Sequence, residues 1–389
     1  MGFTSSYHFF IPNQLLASNK LPADFWQVFA KQVRVPASTV AVTIYPTEVS
    51  RVGHLVAFTL AAEVTDNAGR KTVLKLPLER RQLLLNADQN EVVDLAQITE
   101  DPVILKALKL QLFNDYLHLV QPQSADLEQT RQDFMARPLS SWLAIKHQQL
   151  IFYVLAANQP PLALPINFTD LRYFLPADWG VTTPIAATSK QVALTFDDGP
   201  NPNTTPQVLR ILAQAQIQAT FFMVGTNVTT YPQLAKQVAD AGHVIGNHTY
   251  DHPLLTSLGT TQVAQELALT DVAIYQATGK WPKIVRPPYG SINRVTAAIA
   301  DRPLIQWTVD SEDWKSQNAT TILNVIQQTT DPGAIILLHD IQPATVAALP
   351  NIISYLRLQG YQFVSIDDLI AQPLLSQWQY FGAGDQRGY

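Results

Sequence analysis

With no cysteine in its 389 residues, this chain must do its chemistry with eight histidines, its carboxylates and its hydroxyls. Thiolate catalysis, disulfides and Cys-ligated zinc or iron–sulfur sites are excluded, and any metal must be held by His, Asp or Glu. His248 and His252 stand four positions apart, and Asp197 and Asp198 precede a glycine. Two imidazoles and one carboxylate make a facial ligand set that leaves positions open on a cation, and Asp198 is the natural carboxylate. Adjacent carboxylates are costly to bury ionised, a cost that a divalent cation removes. With Asp198 on the metal, Asp197 is free to act as a general base, held and oriented by Arg286. A leaving group needs a proton from a second residue. His339 is the candidate acid, with Asp313 orienting its ring and supporting the imidazolium. A base, an acid and a metal between them describe metal-assisted hydrolysis of an amide or ester. His8, His54, His118, His147 and His243 have no such company and are read as ordinary core or surface histidines.

These side chains are far apart in sequence, so the elements between them must gather them. From Gln191 onward, short apolar runs at 192–196, 219–224, 244–247, 284–286, 304–309, 334–338 and 363–366 alternate with helical patterns. The helix candidates are 205–214, 232–241, 261–278, 320–328 and 344–358. Strand alternating with helix implies a parallel sheet, and about seven repeats in ~180 residues predict a closed or nearly closed, distorted (β/α) barrel, an open doubly wound sheet being the alternative. Asp197 and Asp198 follow the first run, His248 and His252 the third, and Arg286 the fourth. Asp310 and Asp313 follow the fifth, and His339 and Asp340 the sixth. All lie at C-terminal strand ends, which gather on one face of such a fold.

The first part of the chain reads as a smaller α+β domain. Strands are expected at 52–60 and 72–78 around a hairpin at 66–69, and at 150–157 and around Phe168 and Tyr173. A helix over 103–120 is opened by Asp101-Pro102. Pro160, Pro161, Pro165 and Pro176 punctuate the way out, placing the junction between Leu175 and Lys190. The fold class is therefore α/β, with an α+β domain over 1–180 preceding a barrel over 181–389.

Five motifs resemble, in order, those of the NodB-homology polysaccharide deacetylases, carbohydrate esterase family four. They are Thr195-Phe196-Asp197-Asp198-Gly199, His248-Thr249-Tyr250-Asp251-His252-Pro253, Arg286-Pro287-Pro288-Tyr289-Gly290, Asp310-Ser311-Glu312-Asp313-Trp314 and Leu337-Leu338-His339-Asp340. The resemblance covers roughly 190–372, about half the chain. It implies the same roles: Asp197 as base paired with Arg286, Asp198, His248 and His252 as metal ligands, and His339 as acid backed by Asp313. It adds the backbone N–H of Tyr289 as an oxyanion donor and Trp314 and Leu337 as the acetyl-methyl pocket. The first part resembles the accessory domain of some cell-wall deacetylases and of RsiV-type anti-sigma factors. That resemblance rests on Glu91-Val92-Val93-Asp94-Leu95, Leu150-Ile151-Phe152-Tyr153 and Asn167-Phe168-Thr169-Asp170-Leu171, and it implies positioning or wall attachment rather than chemistry.

Composition narrows the partners. The chain is 47% apolar and 15% charged with a net charge of −5, a globular profile without a basic surface for nucleic acid. No stretch reaches the ~18 apolar residues of a membrane span. The expectation is a zinc-dependent hydrolase, with Co2+ or Ni2+ also compatible, removing acetyl from an extracellular polysaccharide, peptidoglycan N-acetylglucosamine first. Chitin oligomers, poly-N-acetylglucosamine and acetylated xylan are the alternative substrates, and a non-catalytic glycan-binding protein is the alternative class. Because the polymer lies outside the membrane, an export signal or anchor is expected upstream of Phe3, with Met1-Gly2 read as a cloning remnant. Oligomeric state has no sequence signature here.

Overall fold

The computed structural model describes residues 8–9, 39–66, 68–74, 76, 82–86, 91–93, 95–140, 143–146, 148–155, 160–176, 179 and 190–389. Two compact units emerge, one of Met1–Leu105 with Asp133–Thr183, the other of Lys106–Gln132 with Pro184–Tyr389. Most of the expected junction falls outside the described residues, as do Met1-Gly2, Asn67, Asp94 and His147.

In the second unit the strands are β1 (Gln191–Asp197), β2 (Thr220–Met223), β3 (Val244–Asn247), β4 (Leu304–Ile305), β5 (Val309–Asp310), β6 (Ala334–His339), β7 (Gln362–Phe363), β8 (Trp378–Gly382) and β9 (Asp385–Gly388). Their order is β3-β2-β1-β6-β8-β4, with β5 on β6, β7 on β1 and β9 on β8. Single parallel bridges Asn247–Val285 and Val285–Leu304 join the two ends of that order. The sheet therefore curls into a distorted barrel, as the alternating pattern predicts, rather than an open doubly wound sheet. The segments between strands form helices Thr205–Ala215, Pro232–Asp240, Thr260–Thr278, Ala319–Thr329 and Pro343–Leu358, within a residue or two of expectation.

Alternation along the strands separates two apolar layers. Val192, Leu194, Phe196, Ile336 and Leu338 belong to one buried cluster with Val208, Leu212, Ile352 and Leu356 of the surrounding helices. Ala193, Phe222, Ile305, Ile335 and Tyr380 form a second cluster inside the curl. In the pairing of β1 with β6, Thr195 faces Leu337 and Asp197 faces His339. The inward set thus runs from apolar residues at one end of the strands to reactive ones at the other.

Three expectations about this unit change. The run 284–286 supplies only the bridging residue Val285. The run 304–309 splits into β4 and β5 because its backbone changes partners, Gln306 N donating to Tyr380 O of β8 and Thr308 N to Ile335 O of β6. The run 363–366 ends at Phe363, and Ser365 caps a short helix, Ile366–Ile370, by accepting from Asp368 N at 3.1 Å. The hairpin β8–β9 is absent from the alternating pattern, yet β8 closes the gap between β6 and β4.

The first unit contains antiparallel strands Thr39–Val52, Leu55–Asp66 and Lys71–Leu74, so the expected hairpin at 66–69 forms between the last two of them. A separate antiparallel sheet comprises Ala144–Lys146, Gln149–Val154 and Leu162–Asn167. Phe168 opens a 3-10 helix, Phe168–Leu171, rather than a strand. The helix Pro102–Val120 forms as expected, with Asp101 Oδ1 accepting from Val103 N at 2.8 Å. From Lys106 onward it belongs to the second unit. Phe113 meets the Trp281 ring edge-on at 5.3 Å, and Asn114 both donates to Trp281 O and accepts from Trp281 N.

Gly246 in β3 lies against the inward Phe222 ring, where an added Cβ would come within 2.3 Å of Cδ1. Gly246→Ala should therefore destabilise the unit by about 1–3 kcal/mol through overpacking, measured as a lower urea midpoint at unchanged slope.

Candidate active site

β1, β3, β6 and the segment around Val285 end together and bring Asp197, Asp198, His248, His252, Arg286 and His339 to one face. Asp198 Oδ1 lies 3.5 Å from His248 Nε2 and 3.3 Å from His252 Nε2. Candidate ligand atoms of the three residues all fall within 4.8 Å of one another. Two donors bonded to one zinc ion at the usual lengths sit about 3.4 Å apart in tetrahedral geometry, close to both of the Asp198–histidine separations. Asp198 Oδ1 is buried and has no hydrogen-bond partner. His248 Nδ1 is 2.7 Å from Arg286 O, so that nitrogen carries the proton and Nε2 presents its lone pair.

The surrounding charges act differently on each ligand. Burial, then the neighbouring His248, hold His252 below its ordinary pKa and favour the neutral form. For His248, burial works the same way but is outweighed by Asp197 and Asp198, which pull its pKa up. A cation held by Asp198 and His248 Nε2 would replace that proton. Burial also opposes ionisation of Asp198, yet the three histidines bring its pKa down to about 2.

Asp197 takes no part in the triple. Its Oδ1 accepts from Arg286 Nη1 at 2.8 Å, and both side chains are almost completely buried. Arg286 also donates from Nη1 to Thr195 Oγ1, from Nε to Ile305 O and from Nη2 to Gln306 O. Its guanidinium lies over the Phe222 ring, 4.2 Å from the centroid. Across the site, His339 Nδ1 donates to Asp313 Oδ1 at 2.6 Å, leaving Nε2 4.0 Å from Asp198 Oδ2. Asp313 further accepts from Trp314 N, His339 N and Thr345 Oγ1, which fixes the carboxylate in place. Burial opposes a charged His339, but the bond to Asp313 and that residue's charge, helped by Asp197 and Asp198, push its pKa up to about 9.

The remaining sequence candidates divide. Leu337 is buried beside Thr195 in the inward register. Tyr289 is 67% exposed, so its ring is not core. It stands edge-on to His252 at 4.8 Å on a backbone of φ 59°. Trp314 is half exposed at the start of the short helix Asp313–Ser316. Asp310 and Asp340 do not join the cluster. Asp310 Oδ1 caps a turn by accepting from Glu312 N, whereas Asp340 accepts from Thr205 Oγ1 beside Gly199, and burial raises its pKa to about 7.

Four contributors carried no separate signal in the sequence: Thr195 and Gln306, which bind Arg286, Thr345, which binds Asp313, and Glu266, which binds the backbone between the two candidate ligand histidines. Thr195 falls in the first motif, and its period-two relation to Asp197 would have placed it on the same face. The others come from distant segments.

The sequence profile of the polysaccharide deacetylase family matches residues 185–304. The peptidoglycan-N-acetylglucosamine deacetylase PgdA of Listeria monocytogenes serotype 1/2a (strain 10403S) is 38% identical over 250 residues, 62% of this chain and 54% of that protein. A peptidoglycan-N-acetylglucosamine deacetylase of Bacillus cereus (strain ATCC 14579) is 39% identical over 186 residues, 46% of this chain and 68% of the relative. The peptidoglycan-N-acetylmuramic acid deacetylase PdaC of Bacillus subtilis (strain 168) is 40% identical over 180 residues, 46% of this chain and 38% of the relative. The chain belongs to the polysaccharide deacetylase family, as its five motifs imply. It spans about half the length of the Listeria relative.

Removing Arg286 would leave Asp197 buried and uncompensated. Arg286→Met should cost about 3–5 kcal/mol, whereas Arg286→Met combined with Asp197→Asn should cost clearly less than the two single changes together, read from denaturant midpoints in a double-mutant cycle.

Proposed function

We propose that this chain is a metal-dependent deacetylase that hydrolyses N-acetyl groups of an extracellular polysaccharide, with peptidoglycan N-acetylglucosamine as its first substrate. The observation that carries the reading is the placement of two differently supported proton handlers around one ligand triple. Asp197 is backed by Arg286, 3.6 Å from His248, and His339 is backed by Asp313, 4.0 Å from Asp198. The peptidoglycan assignment is supported by the names of the relatives.

Asp198, His248 and His252 would hold a divalent cation, zinc by preference for a mixed nitrogen and oxygen set, with cobalt or nickel also accommodated. Bound there, it would polarise the acetyl carbonyl and activate water as a Lewis acid. Asp197 Oδ2, free of the guanidinium contact at Oδ1, takes the proton of the attacking water. Arg286 compensates that carboxylate and fixes its direction. The backbone N–H of Tyr289 donates to the carbonyl oxygen as negative charge develops there. Trp314 and Leu337 line the space for the acetyl methyl. As the tetrahedral intermediate collapses, His339 Nε2 gives its proton to the departing sugar nitrogen, and Asp313 holds the imidazolium in orientation.

Residues 181–389 serve as the catalytic domain, 106–132 belonging to the same compact unit, and the rest of 1–180 serves positioning or wall attachment. Among the described residues, the only cluster of three candidate metal ligands is the one at Asp198. No described helix is long and apolar enough to cross a membrane. Action at the cell surface follows from the polymer.

The deciding experiment measures acetate released from peptidoglycan fragments, chitin oligomers, poly-N-acetylglucosamine and acetylated xylan, alongside metal content. About one equivalent of zinc, lost in His248→Ala, and acetate from peptidoglycan are expected. Zinc-loaded protein that releases no acetate from any of these polymers would sink the enzymatic reading in favour of a glycan-binding role. Release from xylan alone would move the substrate.

The acid assignment makes a separate prediction. His339→Ala should lower kcat far more on an N-acetyl sugar than on an aryl acetate, whose leaving group needs little protonation. The acid must be protonated, so activity is lost as pH rises through the His339 pKa. Without the Asp313 carboxylate that pKa falls, and Asp313→Asn should move the alkaline limb of the rate profile to lower pH. Equal defects on both substrates, or an unmoved limb, would remove His339 from this role.

A further inference from the structure

His248 and His252 approach a common point although the four-residue step between them is not helical. The loop 248–252 passes through φ 65° at Thr249 and φ 60° at His252, a left-handed conformation that non-glycine residues adopt at a cost of order 1–3 kcal/mol each. Something must hold it. Every N–H between the two ligands is bonded to a side chain. Thr249 N donates to Asn247 Oδ1 at 2.8 Å, and Tyr250 N and Asp251 N donate to the same oxygen, Glu266 Oε2, at 2.8 and 2.9 Å. Asn247 is itself fixed, its Nδ2 donating to Leu267 O and to Asp271 Oδ1. Asp271 in turn is paired with the buried Arg302. Glu266, Leu267 and Asp271 all lie on the helix Thr260–Thr278, so one helix holds the loop both at its start, through Asn247, and at its middle. On the opposite side, Thr249 O and Tyr250 O accept from Gly225 N and Thr226 N.

The geometry points to Glu266 as a positioning residue for the cation site: its carboxylate, with Asn247 held by Asp271, clamps the 248–252 backbone so that His248 and His252 present their Nε2 atoms to Asp198. This rests on the reading of that triple as a metal site. Glu266 touches no candidate ligand atom, and its action passes through the backbone alone. A charged acceptor shared by two amides is a strong anchor, because charge-assisted bonds are roughly twice as strong as neutral ones. Loss of it releases the middle of the loop and lets the strained residues relax.

The experiment measures zinc affinity of the full chain by competition with a chelating dye, and the visible spectrum of the Co2+ form, which reports ligand geometry independently of turnover. Glu266→Ala should bind zinc about 10–100-fold more weakly, the usual effect of losing a group that orients a metal ligand, and should shift the Co2+ bands. Glu266→Gln, which keeps an acceptor oxygen, should recover most of that affinity, whereas a merely structural role would leave affinity and spectrum alone in any folded variant. Should Glu266→Ala fail to fold, Glu266→Asp, too short to reach both amides, takes its place with the same expected direction. Wild-type affinity and an unchanged spectrum in the folded variant would overturn the clamp. Wild-type protein that takes up neither zinc nor cobalt would overturn the metal reading itself, so the two failures are distinguishable.

Discussion

A single buried guanidinium holds the active face together. Arg286 has no exposed surface and reaches four acceptors on two separate segments: Thr195 and Asp197 on β1, and Ile305 of β4 with Gln306 directly after it. Its main chain extends the same junction, since Arg286 N donates to Asn247 O and Arg286 O meets His248 Nδ1. One residue therefore orients the carboxylate proposed as base and fixes the tautomer of a proposed ligand. A buried charge tolerates this position because each of its three nitrogens is hydrogen-bonded and a carboxylate compensates it, and that requirement disciplines the surrounding backbone. Phe222 offers its ring face to the guanidinium, 4.2 Å from the centroid.

Backbone strain recurs at the strand ends that carry the motifs. Asp198, Thr249, His252, Tyr289 and Glu312 all have positive φ, and each lies in one of the five motifs. Such conformations persist where rigid surroundings over-determine them. Here the surroundings are short parallel strands closed into a ring through the Val285 bridges and the C-terminal hairpin. The apolar layers on both sides of that sheet supply the stability that offsets the strained loops.

Environment also separates chemically identical side chains into different tasks. His252 is held below its usual pKa by burial and by His248, which suits a neutral ligand. His339, equally an imidazole at a strand end, is pushed up to about 9 by the buried Asp313 despite its own burial, which suits a proton donor. Asp197 and Asp198 are neighbours in sequence, but the left-handed turn at Asp198 sends one toward the guanidinium and the other toward the imidazoles. Divergent settings for like groups are the usual means by which one site runs both acid and base chemistry near neutrality.

The sequence by itself determined the cast and its phase. Reactive residues at the ends of alternating apolar runs, with strand and helix periods intact, suffice to predict a parallel curled sheet with its chemistry on one face, because side-chain alternation is a local property of each strand. The five motifs carried the family, the candidate ligand triple and the two residues proposed as proton handlers. What only the tertiary structure decided was everything that depends on partners distant in the chain. The run 304–309 looks continuous until its two halves are seen to pair with different strands, and β8 carries no alternating signature yet fills the gap in the ring. The helix Pro102–Val120 reads as part of the first half, but from Lys106 its contacts with Trp281 place it in the second unit. Asp310 and Asp340 share the phase of the reactive residues yet bond to a turn and to Thr205, since phase sets only which end of a strand a residue occupies. Glu266, Gln306 and Thr345 lie outside every motif, and their contribution exists only where folding delivers a side chain to a backbone amide or a carboxylate, or a backbone carbonyl to a guanidinium, from elsewhere in the sequence.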